Sequence, residues 1–318
     1  MRSASGQTSW LSRHFREASV AAALLIVLGA MALFAPAFFQ PQPLLSLATR
    51  EAPALLVACG MAAVIIARQI DISVGSQFSV CSVCAALLAA RGWPLPLVLL
   101  AAVTLGAIFG AINGLLVAAL RLPSIVVTLA TMVTLRQGLN LIRQGEFVNL
   151  PDSTQWFGLS QTTGQLTLVV FSLGVLVLLA LALRHLAAGR FLYAVGTDAE
   201  AARLAGIRAQ GVTFGAFVFI GALTGLAAMM NLVQSPQVQP LTGMGMELKV
   251  IAAAVVGGVA ISGGRGGLWG TLAGFLLLAC VAPALTHLHI EAYWEKAIQG
   301  AIILLAVVAD GLRRSRKP

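Results

Sequence analysis

Uninterrupted apolar runs of about 20 residues recur along the whole 318-residue chain, parted by short polar breaks. That is the length at which a helix crosses the hydrocarbon core of a bilayer. The runs predict spans near 19–39, 52–68, 72–90, 97–119, 124–142, 165–183, 213–233, 248–262, 268–287 and 297–310. The expected fold is therefore an all-α, polytopic membrane protein of about ten transmembrane helices. Composition agrees: 10% of the residues are charged, against about a quarter in a soluble domain.

The net charge of +9 raises a nucleic-acid partner, but the basic residues fall between apolar runs and record orientation instead. With residues 1–18 as a cytoplasmic segment, the inside loops hold fourteen of the 20 Lys and Arg residues and the outside loops five, with Arg136 inside a span. The bias places both termini in the cytoplasm, the transmembrane domain at 19–310, a cytoplasmic loop at 184–212 and a tail at 311–318. The start of the chain resembles a signal peptide. Its apolar run is longer than a signal's, and Pro36 sits badly for cleavage, so it reads as an uncleaved first span. Outside, Glu51, Glu146, Asp152, Glu247, Glu291 and Glu295 balance the bases. The longest outside loop, 143–164, reads as a short interfacial element.

Two features recur in the two halves. Gly106, Gly110 and Gly114 repeat every fourth residue in the fourth span, and Gly266, Gly270 and Gly274 do so in the ninth. Such spacing lets helix backbones approach closely, and its recurrence in five-span halves of opposite start hints at two related, inverted halves. The first half also breaks at Arg68 to Ser76, and the second at Ser262 to Gly267, where Gly263, Gly264, Arg265 and Gly266 follow one another. Irregular backbone at membrane depth survives only where protein or a water-filled cavity satisfies it. Asp71, in the first break, reads as a helix cap, a partner of Arg68 or a functional acid.

The polar interval 184–211 lies between two long apolar runs. Within it, residues 198–204 read as a short helix, capped by Asp198 or Thr197, with its acids in the first turn and Arg203 toward its end. Gly206 stops it. A rigid, charged helix between two spans suits pushing on a partner in water; an ordinary cytosolic loop is the alternative.

Chemistry is sparse. No Walker A, HExxH or nucleophile elbow occurs, so an enzyme is disfavoured, and no metal site is expected. Cys81 and Cys84 lack a second pair or a nearby histidine and read as packing residues. Ile261 to Arg265 mimics the signature sequence of an ABC ATPase, but without Walker A it is not a nucleotide site. The polar residues within spans include Asn113, Thr128, Thr131 and Asn140. With Asp71, Ser73 and Ser76 they form a candidate substrate path, suited to weak binding of an uncharged polyol; hydrogen bonding between helices is the alternative.

Taken together, the motifs resemble the permease subunits of bacterial ABC importers for monosaccharides, of the ribose, arabinose, rhamnose and autoinducer-2 type. The likeness is carried by DISVGS at 71–76, GAING at 110–114 with LPSIVVTLAT at 122–131, and GRFLYAVG at 189–196 with EAARLAGI at 200–207. Gly245 to Leu248, Gly257-Gly258, Ser262 to Gly266, and Tyr293-Trp294 to Asp310 complete it. The resemblance implies a bacterial inner-membrane translocation subunit with no bound cofactor of its own. It also implies ATP and Mg in cytoplasmic ABC ATPase partners, a periplasmic sugar-binding protein and a second permease subunit, identical or related. The 184–212 loop then matches the ATPase-docking region, with Arg190, Gly196, Asp198, Glu200, Arg203 and Gly206 as the coupling residues. Gly106, Gly110, Gly114, Gly263, Gly264, Arg265 and Gly266 would serve packing or gating. Two departures stand out: Arg68-Gln69-Ile70 replaces the family's two glycines before the acid, and Val281 to Ala284 replaces an Asn-Gly element. A branched-chain amino acid ABC permease and an ion-coupled secondary transporter using Asp71 are the alternatives.

Overall fold

The computed structural model describes residues 8–287, 291, 294–301 and 304, which are almost wholly helical. The order is α1 (Thr8–Phe34), α2 (Pro41–Ile66), α3 (Val74–Ala90), α4 (Leu95–Ala118), α5 (Ser124–Arg143), α6 (Gln161–His185), α7 (Ala187–Thr197), α8 (Ala199–Leu204), α9 (Ala209–Leu232), α10 (Met246–Val256), α11 (Leu268–Ala279) and α12 (Val281–His287). Residues 294–301 are helical as well.

The all-α, polytopic expectation holds, but a count of ten crossings is not confirmed. Among the described residues, six helical stretches are long and apolar enough to cross a membrane: α2, α4, α5, α6, α9 and Leu268–Thr286; Val20–Phe34 and α3 are shorter apolar helices. The expected span 248–262 is reduced to α10, whose 11 residues extend about 16 Å, half a bilayer core. Most of the expected span 297–310, and the tail 311–318, lie outside the described residues, as do residues 1–7 of the N-terminal segment; the first helix already runs from Thr8.

α2 is the axis. A helix apolar on every side must be buried, and Leu56, Val57, Ala58, Met61, Ala62, Val64, Ile65 and Ile66 are all fully shielded. α6, α7, α9, α10 and α11 pack round it. The outer helices instead turn leucines outward: Leu100, Leu141 and Leu178 are 61%, 78% and 66% exposed, as expected of side chains that face lipid.

The most extensive contact in the fold joins α4 to α9. Gly106, Gly110 and Gly114 do pack a helix closely, but against Phe214, Phe217, Gly221 and Gly225 of α9. A Cβ on Gly106 would lie 2.2 Å from the Gly221 carbonyl oxygen, and one on Gly225 would lie 2.1 Å from that of Ala102. In lipid no hydrophobic force drives helices together, so this backbone proximity holds them. The second triplet is corrected: Gly266 precedes α11 with φ +126, and only Gly270 and Gly274 belong to the helix, facing Gly257 and Ala253 of α10.

The expected interfacial element at 143–164 is a small folded cap. Val148–Asn149 pairs antiparallel with Gln237–Val238, and the Trp156 N–H donates to the Val233 carbonyl at 2.8 Å.

Candidate functional site

The 187–208 segment forms two short helices at one end of the bundle. The Asp198 Oδ1 accepts from the N–H groups of Glu200 and Ala201 at 2.9 and 3.0 Å, so Asp198, not Thr197, caps α8. At the other end, the Gly206 N–H reaches the Arg203 carbonyl and the Ile207 N–H the Ala202 carbonyl, both at 3.0 Å. With Gly206 at φ +83 this is a Schellman stop, which needs a residue without a Cβ penalty. Glu200 and Arg203 pair along the outer face, with the Arg203 Nε donating to Glu200 Oε2 at 3.1 Å. That bond holds the Glu200 carboxyl below the usual carboxylate range. Both side chains are 67% exposed and Leu204 beside them is 79% exposed, while Ala202 is buried. α8 thus presents a leucine flanked by an ion pair. Arg190 lies apart, on α7, where its guanidinium donates to the His185 carbonyl at the end of α6 (3.1 Å).

Beneath α8, three chain segments meet with almost no side chain between them. A Cβ on Gly196 would fall 1.7 Å from the Ile66 carbonyl oxygen and 2.7 Å from the Gly264 nitrogen. The Gly264 N–H itself donates to Ile66 O at 2.8 Å. Gly263 and Gly264 take φ +80 and +70 and lie against Gly196 and Thr197, and the Tyr193 hydroxyl donates to the Gly266 carbonyl at 2.8 Å. The end of α7, the end of α2 and the loop from α10 to α11 are therefore one glycine-lined junction, and a displacement of α8 reaches α2 with little intervening slack. Arg265 is exposed at this junction, and its carbonyl accepts from the Ala260 N–H at 3.0 Å.

Seven residues beyond Ile66 the chain re-enters the bundle. Asp71 is fully buried. Its Oδ1 accepts from the Ser73 N–H (2.9 Å) and the Ser73 hydroxyl, and its Oδ2 from the amides of Gln77 (3.3 Å) and Asn113 (3.5 Å). The same two amides donate to Ser73 Oγ at 2.7 and 2.9 Å, and Thr131 donates to Asn113 Oδ1 at 2.7 Å. Asp71 is therefore not the cap of α3, whose N-cap is Ser73; it holds the turn just before the helix and makes no pair with Arg68. The extended stretch around it is satisfied by α5: Ile70 N–H donates to Ser124 Oγ at 3.3 Å and Ile72 N–H to Thr128 Oγ1 at 3.1 Å. Irregular backbone at membrane depth requires such internal partners.

Of the expected path residues, Asp71, Ser73, Asn113 and Thr131 are thus joined in one network, and Thr128 holds the adjoining backbone at Ile70 and Ile72. Ser76 is buried beside it with its hydroxyl unpartnered. Asn140 lies nine residues beyond Thr131 on α5, about 13 Å along the helix, and does not join the network.

Two part-buried ion pairs escape reading by runs. Arg136 of α5 and Glu247 of α10 approach to 3.1 Å, and Lys249 of α10 and Glu51 of α2 to 2.6 Å. Glu247 is not the solvated loop residue expected; its side chain is 8% exposed. The usable signal was Arg136 alone in a span, since an intramembrane charge ordinarily has a partner. Near the second pair a cavity of about 310 Å³ is lined by Arg50, Glu51, Phe78, Asn231, Lys249 and Gln299, among others. Among the described residues no group of His, Cys, Asp or Glu side chains is arranged to hold a metal ion.

Residues 44–307 match the family described as branched-chain amino acid transport system / permease component. The chain is 34% identical over 300 residues to the autoinducer 2 import system permease protein LsrC of Enterobacter sp. (strain 638), covering 94% of this chain and 88% of that one. It is 32% identical over 298 residues to the ribose import permease protein RbsC of Escherichia coli (strain K12), covering 92% of each. With LsrC of Escherichia coli (strain K12 / DH10B) it shares 35% identity over 266 residues, 82% of this chain and 76% of that one. No solved structure matches the chain.

Proposed function

The chain belongs to the branched-chain amino acid transport system / permease component family, and from that premise we propose that it is the permease subunit of an ATP-driven importer. It carries a monosaccharide or similar polyol across the bacterial inner membrane. The observation that carries this reading is its likeness, over more than nine-tenths of its length, to an autoinducer 2 and a ribose import permease. Two related halves, of about ten spans in all, and both termini in the cytoplasm complete the proposed topology. Hydrolysis takes place in separate cytoplasmic ATPase subunits that hold ATP and Mg; a periplasmic sugar-binding protein delivers the substrate, and a second permease subunit completes the channel.

In this reading α8 is the contact with the ATPase: Leu204 is its apolar anchor, and Asp198, Glu200 and Arg203 set its charge and geometry. Motion passes through Gly196, Gly263 and Gly264 to the end of α2, and so to the Asp71 network that fixes how α3, α4 and α5 meet. An ATPase shifts a permease only through contacts that differ between its states, and a junction of touching backbones supports this by moving as a unit. The polyol path runs past Ser76 and the network and opens at the charged cavity beside Glu51 and Lys249. Asp71 already accepts four hydrogen bonds from its own chain, which favours a positioning role over that of an ion site in a secondary transporter.

The test is co-purification from the native membrane, followed by mass spectrometry. Wild type retains a Walker-A-bearing chain, and Glu200→Arg loses it. The double variant Glu200→Arg with Arg203→Glu keeps the internal pair yet still fails to retain it. Absence of any ATPase from wild type after cross-linking, together with ion-driven uptake that depends on Asp71, would replace this reading with a secondary transporter.

A further inference from the structure

One large cavity belongs to neither the junction nor the polar network. It is a groove of about 660 Å³ between the C-terminal half of α6, α7 and the first half of α9, with the α2 residues Cys59 and Ala63 at its back. Its walls are apolar, built from Leu183, Leu186, Leu192, Val212 and Phe219, and Arg208 is the one charged residue lining it. At its mouth Leu186 and Phe191 are 57% and 41% exposed. From Arg208 to Phe219 the groove follows eleven residues of α9, about 16 Å. It is therefore a slot parallel to the helices, apolar along its length and cationic at the end that carries α8. Arg184 and Arg190 are exposed on the same short stretch, and neither they nor Arg208 form an ion pair among the described residues. The nearest acids are engaged: Asp198 caps α8 and Glu200 pairs with Arg203.

We infer that this groove is a binding site for one anionic glycerophospholipid of the cytoplasmic leaflet. An acyl chain lies along α9 and the phosphate sits at Arg208, with Arg184 and Arg190 adding to the field. Both halves of the ligand are matched. A slot with apolar walls open to hydrocarbon is filled by a lipid tail at no cost in polar contacts, and basic pockets between helices on this side of a membrane select anionic headgroups. The groove is possible because α9 carries Gly211 and Gly215 where it faces α6; a Cβ at Gly215 would meet nothing within 4 Å. Since α7 forms one wall, the lipid bears on the segment that ends in the glycine junction. The inference rests on the proposed orientation, with α8 on the cytoplasmic side, and not on what is transported.

The test uses the full chain in nanodiscs of phosphatidylethanolamine and phosphatidylglycerol, labelled with a photoactivatable phosphatidylglycerol and read by mass spectrometry. Wild type should carry label on peptides of α7 and α9. Gly215→Trp fills the slot without meeting protein and should abolish that label. Gly174→Trp, on α6 where a Cβ also meets open space but outside the groove, should leave it unchanged. Arg208→Gln should lower labelling about fivefold, the effect of one cation near a charged headgroup, while a photoactivatable phosphatidylethanolamine is unaffected. Equal labelling of wild type, Gly215→Trp and Arg208→Gln would overturn the site, as would labelling no greater than that of outward-facing α4. Cross-linking of Gly215→Cys to a second permease chain would assign the groove to that subunit and overturn the lipid.

Discussion

Gly196→Ala is the smallest change that interrupts the proposed coupling path. Its methyl would stand 1.7 Å from the Ile66 carbonyl oxygen and 2.7 Å from the Gly264 nitrogen, wedged into the hydrogen bond that joins those two atoms. Neither neighbour is a flexible side-chain tip; both are backbone, at the ends of buried elements. Overpacking of this kind costs about 1–3 kcal/mol. If the wedge also opens the bond from Gly264 to Ile66, an unpaired buried backbone group adds about 1–3 kcal/mol, for a total of about 2–6 kcal/mol. The matched control is Gly174→Ala, where the new methyl has open space and helix propensity contributes up to about 1 kcal/mol of stabilisation. Apparent melting in detergent, followed by tryptophan fluorescence, should fall for Gly196→Ala and hold or rise for Gly174→Ala. In proteoliposomes with the partner ATPase, Gly196→Ala should lose ATP-driven uptake more completely than it loses ATP hydrolysis, because α8 still docks while its motion no longer reaches α2. A Gly196→Ala protein that melts and transports like wild type would show that the backbone contact neither stabilises the fold nor carries the stroke.

Other expected outcomes follow from the remaining geometry. Arg136→Met alone leaves the buried Glu247 carboxylate with only the Gly245 N–H and should cost about 1–3 kcal/mol, whereas Arg136→Met with Glu247→Met should be near neutral; equal melting of the single and double variants would refute the pairing. Thr128→Val leaves the Ile72 N–H without its partner and should cost about 1–3 kcal/mol, while Thr128→Ser should restore wild-type melting. Gly206→Ala forces a side chain into the left-handed region at a cost of about 1–2 kcal/mol; it should weaken ATPase capture without changing the insertion of the permease, measured by membrane fractionation.

Much of the architecture was legible because lipid imposes a length rule. Runs such as 97–119 and 213–233 became α4 and α9 within a few residues, and the short helix after Asp198 appeared with its cap and its glycine stop. Local chemistry decides such features, so local reading finds them. What was not legible is relational. Periodicity showed that Gly106, Gly110 and Gly114 admit a close neighbour, but not that the neighbour is Gly221-x-x-x-Gly225 rather than the second triplet. Thr128 and Thr131 looked like a pore lining, yet the first hydroxyl holds the extended backbone at Ile72 and the second holds Asn113. Glu51, Glu247 and Lys249 were assigned to solvated loops because acids and bases balanced there; their partners lie 111 and 198 residues away in the chain, beyond any window of sequence.

Those long-range pairs explain how a push at one end of α2 can be useful rather than merely absorbed. α2 is tied to α10 by Glu51 with Lys249, and to the loop that follows α10 by Ile66 with Gly264. The ties on α2 are 15 residues apart, about 22 Å. In the proposed coupling, a displacement delivered at the junction would act along α2 and, through Lys249, on the start of α10. α3 is attached differently. It follows α2 through an extended stretch whose hydrogen bonds go to α5, and its first turn is held by Asp71, Gln77 and Asn113. Between α10 and the α3–α5 group, Arg136 pairs with Glu247 and the Gly243 N–H donates to Ser79 Oγ at 3.1 Å, while α9 packs against α2, α3 and α4 alike. The part-buried ion pair lies next to a glycine (Gly75) whose Cβ would strike Glu247 Oε2 at 2.1 Å, so in the proposed transport cycle this tight contact would favour one packed arrangement over intermediate ones. A transporter needs that property, since a path open partway on both sides would leak.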